Sequence, residues 1–100
     1  MFAVIFRAEV ARFDAEYAEV AARMRDIAMR DFGCSEFTSC TQDGQEIAIS
    51  YWDNEEQIKL WKQNAEHLVA QGKGRTKWYK SYSVEVVEIV RSYGSGNAQA

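Results

Sequence analysis

The chain has 100 residues, a length that suits one domain with one modest core. Hydrophobic residues make up 47% of it and charged residues 27%, which is ordinary for a globular protein, and the 13% of aromatic residues need burial in a core, an interface or a pocket. The formal net charge is −3 and no block of Lys and Arg occurs, so we expect no nucleic acid partner.

The cysteines and the first ten residues indicate where in the cell the protein is located. Cys34 and Cys40 are too few for a disulfide framework or a tetrahedral zinc site, so we expect two reduced thiols and no metal. Residues 1–10 are apolar but too short for a signal peptide with its cleavage site. No apolar run reaches membrane length. These features predict a cytoplasmic protein without a membrane partner.

The first two predicted elements are a strand and a helix. Residues 2–9 alternate as a strand does, and they begin apolar on both faces, which predicts burial on both sides there. Over residues 13–32 the apolar period lengthens to that of an amphipathic helix, with a stripe that starts at Phe13 and runs to Ile27. Gly33 then predicts the end of the helix.

A hairpin and a second helix follow. Residues 36–41 and 46–52 read as strands around Asp43-Gly44, a strong signal for a tight turn. Either Asp53 or Asn54 can cap the next helix. Its apolar stripe consists of Ile58, Trp61, Ala65, Leu68 and Val69, and Gly72-Lys73-Gly74 ends it.

The last predicted strand covers residues 77–90. Its apolar phase shifts at Val86-Val87, which predicts a bulge or bend at that point. Residues 94–100 are small and polar, and we expect a disordered tail there. The domain is therefore predicted to span residues 1–93.

The element order β-α-β-β-α-β predicts an α+β fold of the ferredoxin-like type. Two helices can cover one face of a four-stranded sheet, but the other face is also apolar and nothing else in the chain can cover it. A second copy that packs sheet to sheet would do so across a two-fold axis. The residue pattern thus predicts a homodimer.

A group of residues around and after the hairpin carries a family resemblance. Besides the Asp43-Gly44 turn, the group contains Trp52 at a strand end, an acidic helix cap, and then Trp61, His67, Gly74 and Tyr79. This set of residues resembles the antibiotic-biosynthesis-monooxygenase-like family. The resemblance implies a dimeric α/β barrel, in agreement with the pattern above. Fold membership alone does not choose a reaction.

The resemblance implies two chemistries. Some members oxidise quinol-type aromatic compounds with dioxygen and no metal or flavin, and they carry a Trp followed six residues later by a polar aromatic residue. Trp61 and His67 have that spacing, although the family usually has Tyr at the second position and Asn where this chain has Gln57. Other members bind and degrade haem with an Asn on the first strand, where this chain offers Phe6 and Arg7.

Each candidate also has a structural interpretation. Trp61 lies on the apolar stripe and is typical of core packing. On a straight helix, His67 points about 120° away from Trp61, so it faces either a pocket or solvent and the partner. Trp52 and Trp78, at strand ends, are predicted at barrel rims or the dimer interface. The tyrosine hydroxyls can bind a ligand or pack in an interface.

The leading hypothesis is a cofactor-independent monooxygenase that acts on a small phenol- or quinol-type compound. His67 and Trp61 are the predicted catalytic residues, and the predicted substrate-binding residues are Asn64, Gln57, Phe6 and Tyr79. Haem binding, with His67 as axial ligand, is the second hypothesis. The third hypothesis is a non-catalytic binding or interaction dimer, whose cavity is filled by side chains such as Met24, Phe6, Ile5 and Trp61.

Overall fold

The computed structural model describes residues 1–11, 15–71 and 78–96, without the side chains of residues 66–71. The elements follow the predicted order and confirm the α+β, ferredoxin-like class. They are β1 (Phe2–Val10), α1 (Ala15–Asp31), β2 (Glu36–Gln42), β3 (Gln45–Trp52), α2 (Glu55–Gln71) and β4 (Tyr79–Glu88). The predicted helix start at Phe13 and the predicted stop at Gly72-Lys73-Gly74 lie outside the described residues, as do the last residues of the predicted tail.

The four strands form an antiparallel sheet in the order β2-β3-β1-β4. The first strand therefore lies inside the sheet, and its Ala3 and Val4, which point to opposite faces, are both only 5% exposed. This confirms the predicted burial of β1 on both sides. The Asp43-Gly44 turn also forms as predicted, with φ values of 53° and 78° that suit a two-residue hairpin.

The irregularity in β4 is not where the sequence predicted it. Pairing with β1 runs unbroken from Phe2 opposite Glu88 to Glu9 opposite Ser81, so the predicted bulge at Val86-Val87 is wrong. Val86 and Val87 simply point to opposite faces of a regular strand, and each face is apolar there. The register shifts between Glu9 and Val10 instead. Val10 pairs with Tyr79, which leaves Lys80 as the extra residue.

The core lies between the helices and the face of the sheet that carries Val4 and Trp52. Trp52 is 0% exposed, and its indole Nε1 donates a hydrogen bond of 2.9 Å to Ser50 Oγ. Trp78 is 1% exposed and packs edge-on against Tyr17, with ring centroids 5.4 Å apart. The prediction that Trp52 and Trp78 lie at rims or an interface is wrong, because both rings are buried within the chain itself.

The opposite face of the sheet, here called the open face, lies away from the helices. An ion pair of 2.6 Å between Arg7 and Glu85 crosses it. Two of its apolar residues are substantially exposed, Ile47 at 39% and Val87 at 36%. Its apolar residues are Ala3, Ile5, Ile47, Ile49, Tyr51 and Val87. None of the described helices meets the length and apolarity that a membrane span requires.

The start of α2 is capped by side chains. The backbone N–H of Gln57 donates to Asn54 Oδ1 at 2.9 Å, and Gln57 Oε1 accepts a bond of 3.1 Å from the backbone N–H of Asp53. Of the two caps that the sequence left open, the structure therefore selects Asn54. The Gln57 side chain also lies directly against Gly33, which follows α1 with a φ of 87°.

The variant Gly33→Ala is expected to destabilise the protein by about 2 kcal/mol. A left-handed φ costs an alanine about 1 kcal/mol, and the new methyl group must displace Gln57 from its cap. Gly44→Ala is a matched control, because Gly44 has φ 78° but no atom within 4 Å of the added Cβ position. We expect it to cost about 1 kcal/mol in urea unfolding. Equal losses for the two variants would contradict the role of Gln57.

Candidate functional site

A cavity of about 560 Å³ lies between the sheet and the two helices. Its floor is formed by the central strands, where Val4 and Phe6 alternate with residues that point to the open face. One wall comes from α1, where Ala18, Ala21 and Ala22 are too small to fill the space. A cavity of this size with a mainly apolar lining is typical of a small-molecule site.

The second wall is formed by α2, and Trp61 is its largest residue. Its ring lies 5.5 Å from that of Trp52 and 6.1 Å from that of Phe37. Its indole Nε1 donates a hydrogen bond of 3.3 Å to the backbone oxygen of Met24 in α1. Trp61 therefore packs against the core and lines the cavity at the same time.

The third boundary is β4, which is an edge strand of the sheet. Tyr82, Val84 and Val86 line the cavity and are nevertheless 44–46% exposed. The cavity therefore opens along β4. Two cations from the helices, Arg25 and Lys62, also belong to the lining and remain exposed to solvent.

One end of the cavity is polar. Glu46 on β3 lines it, and its Oε1 atom is buried without a hydrogen-bond partner among the described residues. Burial raises the pKa of the Glu46 carboxyl. Glu46 was not among the predicted site residues. Its position could have been inferred from the alternation along β3, which puts Glu46 on the same face as Ala48, Ser50 and Trp52.

Tyr79 shares this polar end with Glu46. Burial and the negative charge of Glu46 raise the pKa of its hydroxyl far above the ordinary value. Its ring lies 5.5 Å from that of Phe6, 5.9 Å from that of Tyr17 and 6.0 Å from that of Tyr82. These contacts hold Tyr79 at the junction of β1, α1 and β4.

The bulge at Lys80 explains how Tyr79 reaches the cavity. In a regular strand, Tyr79 and Tyr82 would point to opposite faces because they are three positions apart. The extra residue reverses the alternation, so both tyrosines line the same cavity.

The structure places some of the predicted site residues in the cavity lining and others outside it. The structure brings Phe6, Trp61 and Tyr79 together in the cavity lining. Gln57 caps α2 and is not part of that lining, and Asn64 is half-buried outside it with an Oδ1 atom that has no partner among the described residues. His67 lies within α2, but its side chain is outside the described residues.

Two further expectations concern side chains that fill the interior and the thiols of the two cysteines. The predicted filling of the interior is wrong, because Met24, Phe6 and Trp61 line an open cavity. Ile5 points to the other face of the sheet. Cys34 is buried and its Sγ donates to the backbone oxygen of Glu36 at 3.1 Å, whereas Cys40 lies exposed. Burial raises the pKa of the Cys34 thiol, which disfavours a reactive thiolate.

The part of the chain that the structure describes holds no group of three His, Cys, Asp or Glu side chains suited to a metal ion. Among the described residues, the cavity lining offers aromatic rings, tyrosine hydroxyls and one carboxylate, that of Glu46. These groups can orient an apolar ring and exchange a proton with it.

Comparison with known proteins identifies relatives, although no protein-family model matches the chain. The uncharacterised protein YqjZ of Bacillus subtilis is 38% identical over 91 residues, which are 90% of this chain and 80% of YqjZ. Jasmonate monooxygenase ABM of Pyricularia oryzae is 30% identical over 104 residues. That match covers 99% of this chain and 48% of the relative, so the chain spans about half the length of that protein.

Solved structures agree on the fold. A mutant of SnoaB, a cofactor-independent oxygenase from Streptomyces nogalater, has a TM-score of 0.74 at 14% identity and covers 94% of this chain and 97% of its own. MhuD with two manganese protoporphyrin IX molecules bound per active site has a TM-score of 0.63 at 16% identity, with coverage of 95% and 100%.

Fold and site together define a small α+β protein with a ligand-sized cavity between its sheet and its helices. The chain belongs to the antibiotic-biosynthesis-monooxygenase-like family and is a relative of YqjZ.

Proposed function

We propose that this protein is a cofactor-independent monooxygenase for a small aromatic compound of the phenol or quinol type. The observation that carries the proposal is the cavity of about 560 Å³, with the Trp61 ring as a wall and tyrosine hydroxyls and a carboxylate at one end. A relative named as a jasmonate monooxygenase and a fold neighbour described as a cofactor-independent oxygenase support this class of reaction.

The chemistry suits such a site because the substrate itself supplies the electrons. A phenol that gains one oxygen atom from dioxygen and loses two hydrogen atoms as water becomes a quinone, so atoms and electrons balance without an external reductant. Loss of the hydroxyl proton makes the ring electron-rich enough to pass an electron to dioxygen. The protein then has to position the ring and control the proton.

Five of the six predicted site residues have a role in that scheme. Trp61 and Phe6 orient the ring between α2 and the sheet, and the Tyr79 hydroxyl hydrogen-bonds a polar substituent. His67, with Asn64 or a tyrosine hydroxyl, assists deprotonation. Gln57 is left out of this scheme because the cap of α2 engages its side chain.

The chain is also proposed to act as a homodimer whose two open faces pack together. The exposed Ile47 and Val87 support this arrangement, since apolar side chains on one sheet face favour burial against a second sheet. The domain boundary at residue 93 and a cytoplasmic location belong to the same proposal.

Haem binding is the second candidate. The protoporphyrin-bound neighbour supports it, and Arg25 and Lys62 beside the cavity could pair with propionate groups. Among the described lining residues, however, no His or Cys is present, and the remaining axial donors are Met24 and tyrosines. The described lining residues therefore fit haem poorly.

Oxygenase activity is tested by oxygen uptake with two- and three-ring phenols and quinols in the presence of a metal chelator. For an oxidised substrate, we expect His67→Ala to lower kcat/KM by about 100-fold or more, because a group that assists deprotonation is lost. Trp61→Ala should lower it by a similar factor through loss of orientation. Leu60→Ala, on the exposed side of α2, is the control. Unchanged turnover in both site variants would refute these roles.

Hemin titration separates the second candidate from the first. If haem binds through His67, the Soret band shifts at stoichiometric hemin and the shift disappears in His67→Ala. We expect no such saturable shift in the wild-type protein. A sharp shift that depends on His67 would overturn the preference for the oxygenase.

The homodimer is tested by sedimentation of a Val87→Asp variant. Position 87 stands opposite Ala3 on the open face, so a sheet-to-sheet contact would bury the new charge without a partner, and we expect the dimer to weaken by about 100-fold or more. Leu60→Asp places the same charge on the helix surface and should leave the mass unchanged. A monomeric wild-type protein at micromolar concentration would contradict the proposed dimer.

A further inference from the structure

The polar end of the cavity contains an acceptor that the fold itself leaves unused. Glu46 stands in a row across the sheet with Tyr82, Ala8 and Thr41, on the side that faces the helices. Its Oε1 atom is buried and has no hydrogen-bond partner among the described residues. An unpaired buried oxygen of this kind is costly, so a ligand that donates a hydrogen bond to it gains affinity.

Tyr79 supplies the complementary group. The bulge at Lys80 turns Tyr79 into the cavity that Glu46 lines, and its ring is held by Phe6 and Tyr17. Its hydroxyl is protonated at neutral pH, as that of an ordinary tyrosine is, and burial and the Glu46 charge raise its pKa further. The cavity end therefore offers one acceptor and one donor, which is the pattern that a ligand hydroxyl requires.

We infer that Glu46 and Tyr79 form an anchor for a ligand hydroxyl group, in which the carboxylate accepts the hydroxyl proton and Tyr79 donates to the hydroxyl oxygen. The inference rests on the proposed function, since the ligand is the phenol-type substrate of the same cavity. In the reaction, the ligand O–H bond breaks, an O–H bond forms on Glu46, and the electron pair stays on the ligand oxygen. No electron leaves the ring until dioxygen accepts it.

The surroundings of Glu46 determine how the anchor depends on pH. The other charged and titratable lining residues are Arg25 and Tyr17 of α1, Lys62 of α2, and Tyr79 and Tyr82 of β4. Because burial raises the pKa of Glu46, its charge is present above that raised pKa and is lost as the pH falls through it. A preference for hydroxyl donors should therefore weaken in acid. His67, also in α2, is titratable and needs its own control.

The experiment compares 2-naphthol with 2-methoxynaphthalene by calorimetric titration of the full chain. The two probes share a ring system, but only the first can donate a hydrogen bond. We expect the wild-type protein to bind 2-naphthol about tenfold to a hundredfold more tightly at neutral pH, as a hydrogen bond to a charged acceptor implies. Glu46→Met should abolish that preference, and Glu19→Met, which removes an exposed carboxylate of α1, should retain it.

A second variant keeps the test decisive if Glu46→Met does not fold. Glu46→Gln preserves the volume and a neutral acceptor, so we expect a smaller preference that no longer changes with pH. The pH dependence should persist in His67→Gln. Equal wild-type affinity for the two probes, no binding of either probe, or full pH dependence in Glu46→Gln would each overturn the inference.

The outcomes also separate this inference from the proposed function. A hydroxyl preference that depends on Glu46, without oxygen uptake for any phenol, would overturn the oxygenase and leave the anchor in place. Oxygen uptake with unchanged kcat/KM in Glu46→Met would overturn the anchor and leave the oxygenase in place.

Discussion

The contact between Trp52 and Trp61 joins the sheet to α2 beside the cavity. Trp52 belongs to the sheet and is fully buried, and its ring lies 5.5 Å from that of Trp61 on α2. Trp61 in turn donates its indole N–H to the Met24 backbone oxygen in α1. Sheet, second helix and first helix are thus joined through two side chains. Because these rings keep the three elements in fixed positions, the small alanines of α1 leave space beside them instead of allowing collapse.

The cavity has two chemically different ends as a consequence. Near Trp52 and Trp61 the walls are aromatic and apolar, which suits an electron-rich ring. At the other end, Glu46 and Tyr79 bring a carboxylate and a phenol hydroxyl into a place where burial shifts both pKa values upward. A ring at one end and a proton acceptor at the other are what proton removal from a bound phenol requires. A protoporphyrin-bound neighbour shares this fold, and a fold alone does not choose a reaction.

Much of the fold was predictable because it depends on local patterns. The change of apolar period from strand to helix, the Asp43-Gly44 turn and the stop at Gly33 act over a few residues, and all of them appear where the sequence predicted them. The burial of β1 on both sides also followed from its alternation. The tryptophans at strand ends were misplaced, because their burial depends on helices that pack on them from distant parts of the chain.

The sequence by itself determined the order of elements, the family and the presence of Trp61 on an apolar helix stripe, because propensity and periodicity are written into neighbouring residues. Only the tertiary structure decided which polar groups meet. Glu46 lines the cavity because of its position in the sheet register. Tyr79 lines it because of the bulge at Lys80, whereas the sequence pattern had placed a bulge at Val86-Val87. Strand register and packing bring together residues more than 30 positions apart, and no local pattern encodes that distance.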